Sequence, residues 1–167
     1  AILVRTPYNK NGSGLGSWAN QGYPGIVQDC RGRFQSEGID TIFQNAAPDG
    51  YDTLSWIGSQ NWSNGKVATI GGSATAIVQY FMAGSNPAAL SCQHIGAATA
   101  NFHKIAVYQG GQFRKQMIEG WLQAQGSSYI LPELWAQENY SLDYWGNVTL
   151  EDDWQNVNVP ATHIGGW

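Results

Sequence analysis

The chain has 167 residues, 43% of them hydrophobic and only 12% charged, with a formal net charge of −4. One domain with a sizeable core is the prior at this length. Its eight Lys and Arg residues are scattered rather than clustered, which excludes nucleic acid and anionic membrane as expected partners, and no apolar run is long enough to cross a bilayer.

Ile2-Leu3-Val4-Arg5 reads as a strand buried on both faces, so abrupt a start that the chain is expected to begin partway through a larger protein. Thr6 to Gly14 is rich in structure breakers and reads as a loop, with a short helix over Ser17 to Gly22. Within it, Gly12-Ser13-Gly14-Leu15-Gly16 has the look of a phosphate cradle but lacks the Lys-Ser/Thr pair and the long helix that would follow. Gly25 to Cys30 is a second strand, closed by Arg31-Gly32-Arg33 and a loop through Ser36-Glu37-Gly38. Arg31, Arg33 and Glu37 read as a salt-bridge cluster that pins this loop. A helix begins at Asp49, a suitable N-cap, and presents Leu54, Trp56 and Ile57 as its apolar side.

Asn64-Gly65 then turns the chain into Val67-Ala68-Thr69-Ile70, a β-branched strand that ends on Gly71-Gly72-Ser73. The apolar run from Ala74 to Ala83 follows, long enough for a buried helix. Strand, sharp turn, serine and helix together are the layout of a nucleophile elbow. The glycines let the turn adopt backbone angles, and a closeness to its neighbours, that a side chain would forbid. The helix behind directs its N-terminal N–H groups at the serine hydroxyl, where an oxyanion would form. The elbow pattern Gly-x-Ser-x-Gly is met in part, since Thr75 stands at the last glycine.

Ser85-Asn86-Pro87 stops the helix, and Leu90 to Gly96 is a further strand. Alternating strands and helices predict an α/β fold with a mostly parallel sheet. Residues at the carboxyl ends of its strands, Tyr8, Asp29 and Ser73 among them, would share the working edge. The expected organisation is a first part of the core over residues 1–96, a helical and aromatic cap over 97–158, and a return strand of the core over 159–167. Within the cap, Phe113 to Gln125 reads as a helix with Phe113, Met117, Ile118 and Trp121 on or near one face. The aromatic stretch from Tyr129 to Asn156 packs on the sheet. Trp121 and Phe113 are the candidates for contact with substrate.

Cys30 and Cys92 lack metal-ligand spacing and read as two buried thiols, a disulfide remaining open. No metal constellation is visible and no cofactor is expected. His94 and His163 fall within strands and His103 in the early cap, positions of structural or surface histidines. Asp152 and Asp153 read as solvated charges. Four Asn-x-Ser/Thr sequons, at Asn11, Asn61, Asn139 and Asn147, together with eight Trp, lean toward a secreted glycoprotein.

Several of these segments recur, in this order, in one family. They are Arg5-Thr6-Pro7-Tyr8-Asn9-Lys10, Gln28-Asp29-Cys30-Arg31-Gly32-Arg33, Ser36-Glu37-Gly38, Asp49-Gly50-Tyr51-Asp52-Thr53, Trp56-Ile57 and Trp62-Ser63-Asn64-Gly65-Lys66-Val67. Through them the chain resembles the α/β-hydrolases of the cocaine esterase and X-Pro dipeptidyl-peptidase family, densely from Ile2 to about Ala76. Tyr108-Gln109-Gly110-Gly111 and the segment from Val159 to Gly165-Gly166-Trp167 are later anchors. The resemblance implies a serine hydrolase acting on a small-molecule ester or amide. It places Ser73 as nucleophile, with the Tyr8 hydroxyl and the Ala74 N–H as oxyanion donors. Ala74 and Ala76 replace the Tyr and Gly that the family carries after its nucleophile. The family's acid and histidine follow the Gly-Gly-Trp motif, so both are expected beyond Trp167 and the 167 residues alone to be inactive. The alternative expectation is a non-catalytic relative that binds a small ligand under the aromatic cap.

Overall fold

A computed structural model describes residues 1–12 and 14–166; Ser13 of the first sequon and Trp167 of the expected Gly-Gly-Trp motif lie outside the described residues. Five strands, β1 (Ile2–Thr6), β2 (Gly25–Asp29), β3 (Val67–Gly72), β4 (Leu90–Gly96) and β5 (Ala161–Ile164), form one sheet in the order β2-β1-β3-β4-β5. Every neighbouring pair is parallel. The helices are α1 (Gly16–Ala19), α2 (Ala46–Ser59), α3 (Ala74–Gly84), α4 (Lys115–Ala124), α5 (Leu131–Ala136) and α6 (Leu142–Trp145), with a π-helical turn over Phe102–Val107. The architecture is that of an α/β-hydrolase fold.

Helices α2 and α3 cover one face of the sheet. Leu54 and Ile57 of α2 meet Leu3, Val67, Met82 and Leu90 in a core from which water is excluded. Each of those two side chains contributes about 2 kcal/mol through its burial. The helices approach so closely at Gly50 that a Cβ there would lie 2.2 Å from Met82 Cβ. On the other side of α3, Phe43, Phe81, Phe102, Tyr108, Ile118, Leu122, Leu134 and Trp145 build a second, aromatic core under the segment between β4 and β5. Across the opposite face of the sheet runs an open groove of about 720 Å³, lined by Ile2, Ala68, Ile70, Cys92, His94 and Thr162 among others.

Several expectations are corrected. The second helix starts at Ala46, ahead of Asp49, because Pro48 falls in the first turn, where its missing N–H has no helical partner to lose. Asp49 is therefore no N-cap; its N–H bonds to the Asn45 carbonyl and its carboxylate pairs with Arg31 and Arg5. Trp56 is 57% exposed, since it sits about 200° around the helix from Leu54 and turns away from α3. It meets Trp62 edge-on instead. Helix α4 begins after Phe113, and its buried stripe is Ile118 with Leu122, so Met117 lies at the margin and is exposed. The return strand is limited to four exposed residues, Ala161–Ile164. Cys92 is exposed on the groove face, while Cys30 is partly buried against the aromatic core; both thiols are free.

Candidate active site

Strand order reverses between β1 and β3. The chain passes from β1 to β2 on one side and later returns to β3 on the other, which opens a crevice at the carboxyl ends of β1 and β3. Tyr8 lies two residues past the end of β1 and Ser73 one residue past the end of β3. The two strands pair with Leu3 opposite Thr69. Both loops thus leave the carboxyl ends of neighbouring parallel strands.

Ser73 adopts φ 55° and ψ −129°, a conformation that non-glycine residues avoid. The neighbours hold it there. Its N–H donates to the Gly96 carbonyl of β4 at 2.9 Å, and its own carbonyl accepts from Ala76 and Ile77, each at 2.9 Å. Its side chain is exposed, and among the described residues no hydrogen bond reaches the hydroxyl. The turn is closed by Thr75, whose hydroxyl accepts the Gly72 N–H at 2.8 Å and donates to the Gly72 carbonyl at 2.7 Å. A Cβ on Gly71 would lie 2.5 Å from Thr75 Oγ1 and 2.6 Å from the Thr75 carbonyl, so only glycine fits at that position. Ala74 and Thr75 open α3, and among the described residues their N–H groups have no acceptor. These orphan donors and the helix dipole favour negative charge beside Ser73.

A buried polar network orients this helix on the sheet. Thr69 Oγ1 of β3 donates to Gln79 Oε1 at 2.6 Å, and Gln93 Nε2 of β4 donates to the Gln79 carbonyl at 2.9 Å. All three residues are at least 96% buried.

The Tyr8 loop is held at three points. The Tyr8 N–H donates to Thr6 Oγ1 at 2.9 Å, the Pro7 carbonyl accepts from Arg33 Nε at 3.1 Å, and the Tyr8 hydroxyl accepts from the Trp121 indole at 3.0 Å. Trp121 stacks on Phe43, with ring centroids 5.9 Å apart and planes 19° from parallel. Phe43 in turn packs against Phe81 of α3. Phe113 sits elsewhere, against Tyr108 and Trp135. Thus Trp121 adjoins a predicted site residue, whereas Phe113 packs among other rings of the same segment between β4 and β5.

The three histidines bond to partners other than Ser73. His94 Nδ1 bonds to Thr162 Oγ1 at 2.7 Å, His103 Nε2 to the Glu138 carbonyl at 2.8 Å, and His163 Nδ1 to the Tyr80 hydroxyl at 2.9 Å. The expected charged cluster is present but differs in membership. Arg31 pairs with Asp49 and Arg33 with Asp40, while Glu37 contributes its backbone carbonyl, to Gly32. Phe43, Asp40 and Gln79 carried no recognisable signal in the sequence, because each acts through a partner distant along the chain. Thr75 did carry one, as the non-glycine in an otherwise glycine-flanked turn.

A family model described as X-Pro dipeptidyl-peptidase (S15 family) matches residues 1–130. Cocaine esterase of Rhodococcus sp. (strain MB1 Bresler) is 30% identical over an alignment of 154 positions that covers 86% of this chain and 26% of that protein. The chain thus spans about a quarter of the length of this curated relative. A CocE/NonD family hydrolase from Staphylococcus aureus has a similar solved structure, with a TM-score of 0.82 at 18% identity over 95% of this chain and 34% of that one. An α-amino acid ester hydrolase gives 0.75 at 21% identity over 99% of this chain and 37% of the other. At these identities the two solved structures speak to the fold alone.

Proposed function

The chain belongs to the X-Pro dipeptidyl-peptidase (S15) family of hydrolases, and on that basis we propose that it carries the nucleophile and oxyanion hole of a serine hydrolase acting on small esters or amides. Ser73 Oγ attacks the substrate carbonyl carbon and loses its proton to a base. The carbonyl oxygen becomes an oxyanion, which the Ala74 N–H and the Tyr8 hydroxyl receive. The tetrahedral intermediate collapses to an acyl-enzyme on Ser73 as the alcohol or amine departs with a proton. Water then attacks the acyl group, the acid leaves, and Ser73 regains its hydrogen.

The observation that carries this reading is the backbone of Ser73, a serine held at positive φ at the head of α3, with free helix N–H groups behind it. Proteins retain such strain where the surroundings impose it, most often at functional sites. The base and acid of the triad are proposed to come from residues outside these 167, since His94, His103 and His163 are bound to other partners. Without a base, the Ser73 hydroxyl is a poor nucleophile at neutral pH, so the 167 residues alone are expected to be nearly inactive.

The full-length protein, treated with a fluorophosphonate probe and digested, is expected to carry the label on Ser73. A label elsewhere, or none, removes the mechanism. We further propose that the protein is secreted, on the strength of its four Asn-x-Ser/Thr sequons, whose asparagines Asn11, Asn61, Asn139 and Asn147 are all exposed; a mass shift on deglycosylation of the protein from its native source checks this.

A further inference from the structure

We propose that Trp121 is a positioning residue of the oxyanion hole, acting through the hydroxyl of Tyr8. The inference rests on the reading of Tyr8 as an oxyanion donor and goes beyond it by giving a role to a helix more than a hundred residues further along the chain. An indole N–H donates and never accepts, whereas a phenol carries one donor and two acceptor sites. In the 3.0 Å contact between Trp121 Nε1 and Tyr8 Oη, the Tyr8 oxygen is therefore the acceptor. One acceptor site is filled, and the hydroxyl proton is left to donate elsewhere. The bond also polarises the hydroxyl, because an oxygen that accepts a hydrogen bond donates its own proton more strongly.

The indole is fixed from two directions. Its face is stacked on Phe43, which is wedged edge-on against Phe102 at 4.9 Å and tilted against Phe81 of α3 at 6.4 Å. The end of α4 that carries Trp121 is clamped by Arg33. Arg33 Nη2 donates to the Gln125 carbonyl at 2.8 Å, Nη1 donates to Ser127 Oγ at 2.6 Å, and Nε donates to the Pro7 carbonyl at 3.1 Å. One guanidinium thus holds both the residue before Tyr8 and the residues just after α4. Asp40, 3.2 Å from Nη1, balances its charge in this half of the site. The donor and acceptor of the Trp121–Tyr8 bond are consequently set by a common anchor.

The experiment follows inactivation of the full-length protein by a fluorophosphonate, in which fluoride leaves as Ser73 Oγ bonds to phosphorus and the phosphoryl oxygen enters the oxyanion hole. The maximal inactivation rate and the half-saturating concentration are measured separately. Ser73→Ala should abolish labelling, and Tyr8→Phe should slow the maximal rate by roughly 100-fold. Trp121→Phe keeps the ring stack but loses the N–H; it should slow the maximal rate by roughly 10-fold or more, with half-saturation unchanged. Replacement of Trp121 by benzothienylalanine, which exchanges the N–H for sulfur at constant shape, should do the same and stands in if the Phe variant does not fold. In the Tyr8→Phe background neither change should slow the reaction further. A rise in half-saturation at constant maximal rate would make Trp121 a wall of the substrate pocket and overturn the proposal. An equal loss in the Tyr8→Phe background, or full activity of the benzothienylalanine protein, would overturn it as well. Unchanged labelling of Ser73→Ala is a different signature; it would remove the hydrolase reading itself.

Discussion

Thr75 and Gly72 close the nucleophile turn on each other: the threonine hydroxyl receives the Gly72 N–H at 2.8 Å and returns its own proton to the Gly72 carbonyl at 2.7 Å. The second glycine of the elbow pattern is thereby replaced by a side chain that fastens the turn. Thr75→Val removes both bonds and is expected to lower stability by about 1 kcal/mol, while Thr75→Ser retains it. Urea denaturation midpoints of the two variants check this.

Gly71 is required because the backbone of α3 opens directly against it. A Cβ at 2.5 Å from Thr75 Oγ1 and 2.6 Å from its carbonyl has no room to relax, because the backbone of α3 is the obstacle. Gly71→Ala is expected to cost about 1–3 kcal/mol and to move Ser73 enough to abolish fluorophosphonate labelling. The double variant Gly71→Ala with Thr75→Gly removes the hydroxyl contact but keeps the clash with the backbone, so it should remain impaired.

Strain at Ser73 predicts a difference between two inactive variants. Alanine inherits the unfavourable φ of 55°, whereas glycine adopts it freely. Ser73→Gly is therefore expected to be more stable than Ser73→Ala by about 1 kcal/mol, despite the larger loss of unfolded-state entropy that glycine brings. Thermal melts of the two proteins give the comparison, and equal stability would show that the turn is unstrained.

Arg33 joins three loops through buried contacts, so its removal should be costly. Arg33→Met leaves the Asp40 carboxylate and the Gln125 and Pro7 carbonyls without that partner, and is expected to destabilise the protein by about 3–5 kcal/mol. Arg33→Lys preserves the charge but not the planar fork of donors, and should fall between the two. Chemical denaturation measures both.

Cys30 makes stability fall in alkali. Burial pushes its thiol from an ordinary value of 9.0 up to about 11. The folded protein keeps this proton in a range where the unfolded chain has lost it. The contribution is thus complete below pH 9, is lost as pH rises toward 11, and amounts to about 2–3 kcal/mol. Cys30→Ala should flatten that part of the alkaline stability profile, measured by denaturation at successive pH values. Native Cys30 should also resist iodoacetamide.

All five strands, the last with bounds drawn too wide, the helix after Ser73 and the turn that presents it were legible in the order of the residues. Each depends on signals carried by contiguous positions: β-branched runs such as Val67 to Ile70, breakers such as Asn64-Gly65, and a glycine pair before a serine. The backbone responds to these signals locally, through its allowed dihedral angles and the period of its apolar side chains. Which surfaces would be covered was not legible in the same way. Trp56 looked like part of an apolar stripe and Cys92 like a core thiol, yet the rotation of α2 against α3 exposed the first and the sheet face opposite α3 exposed the second. The partnership of Trp121 with Tyr8, and the reach of Arg33 to Pro7, Gln125 and Ser127, were decided by the fold alone. A hydrogen bond acts over about 3 Å and in one direction, so residues separated by 113 positions meet only when the sheet order and helix packing have brought them to the same edge.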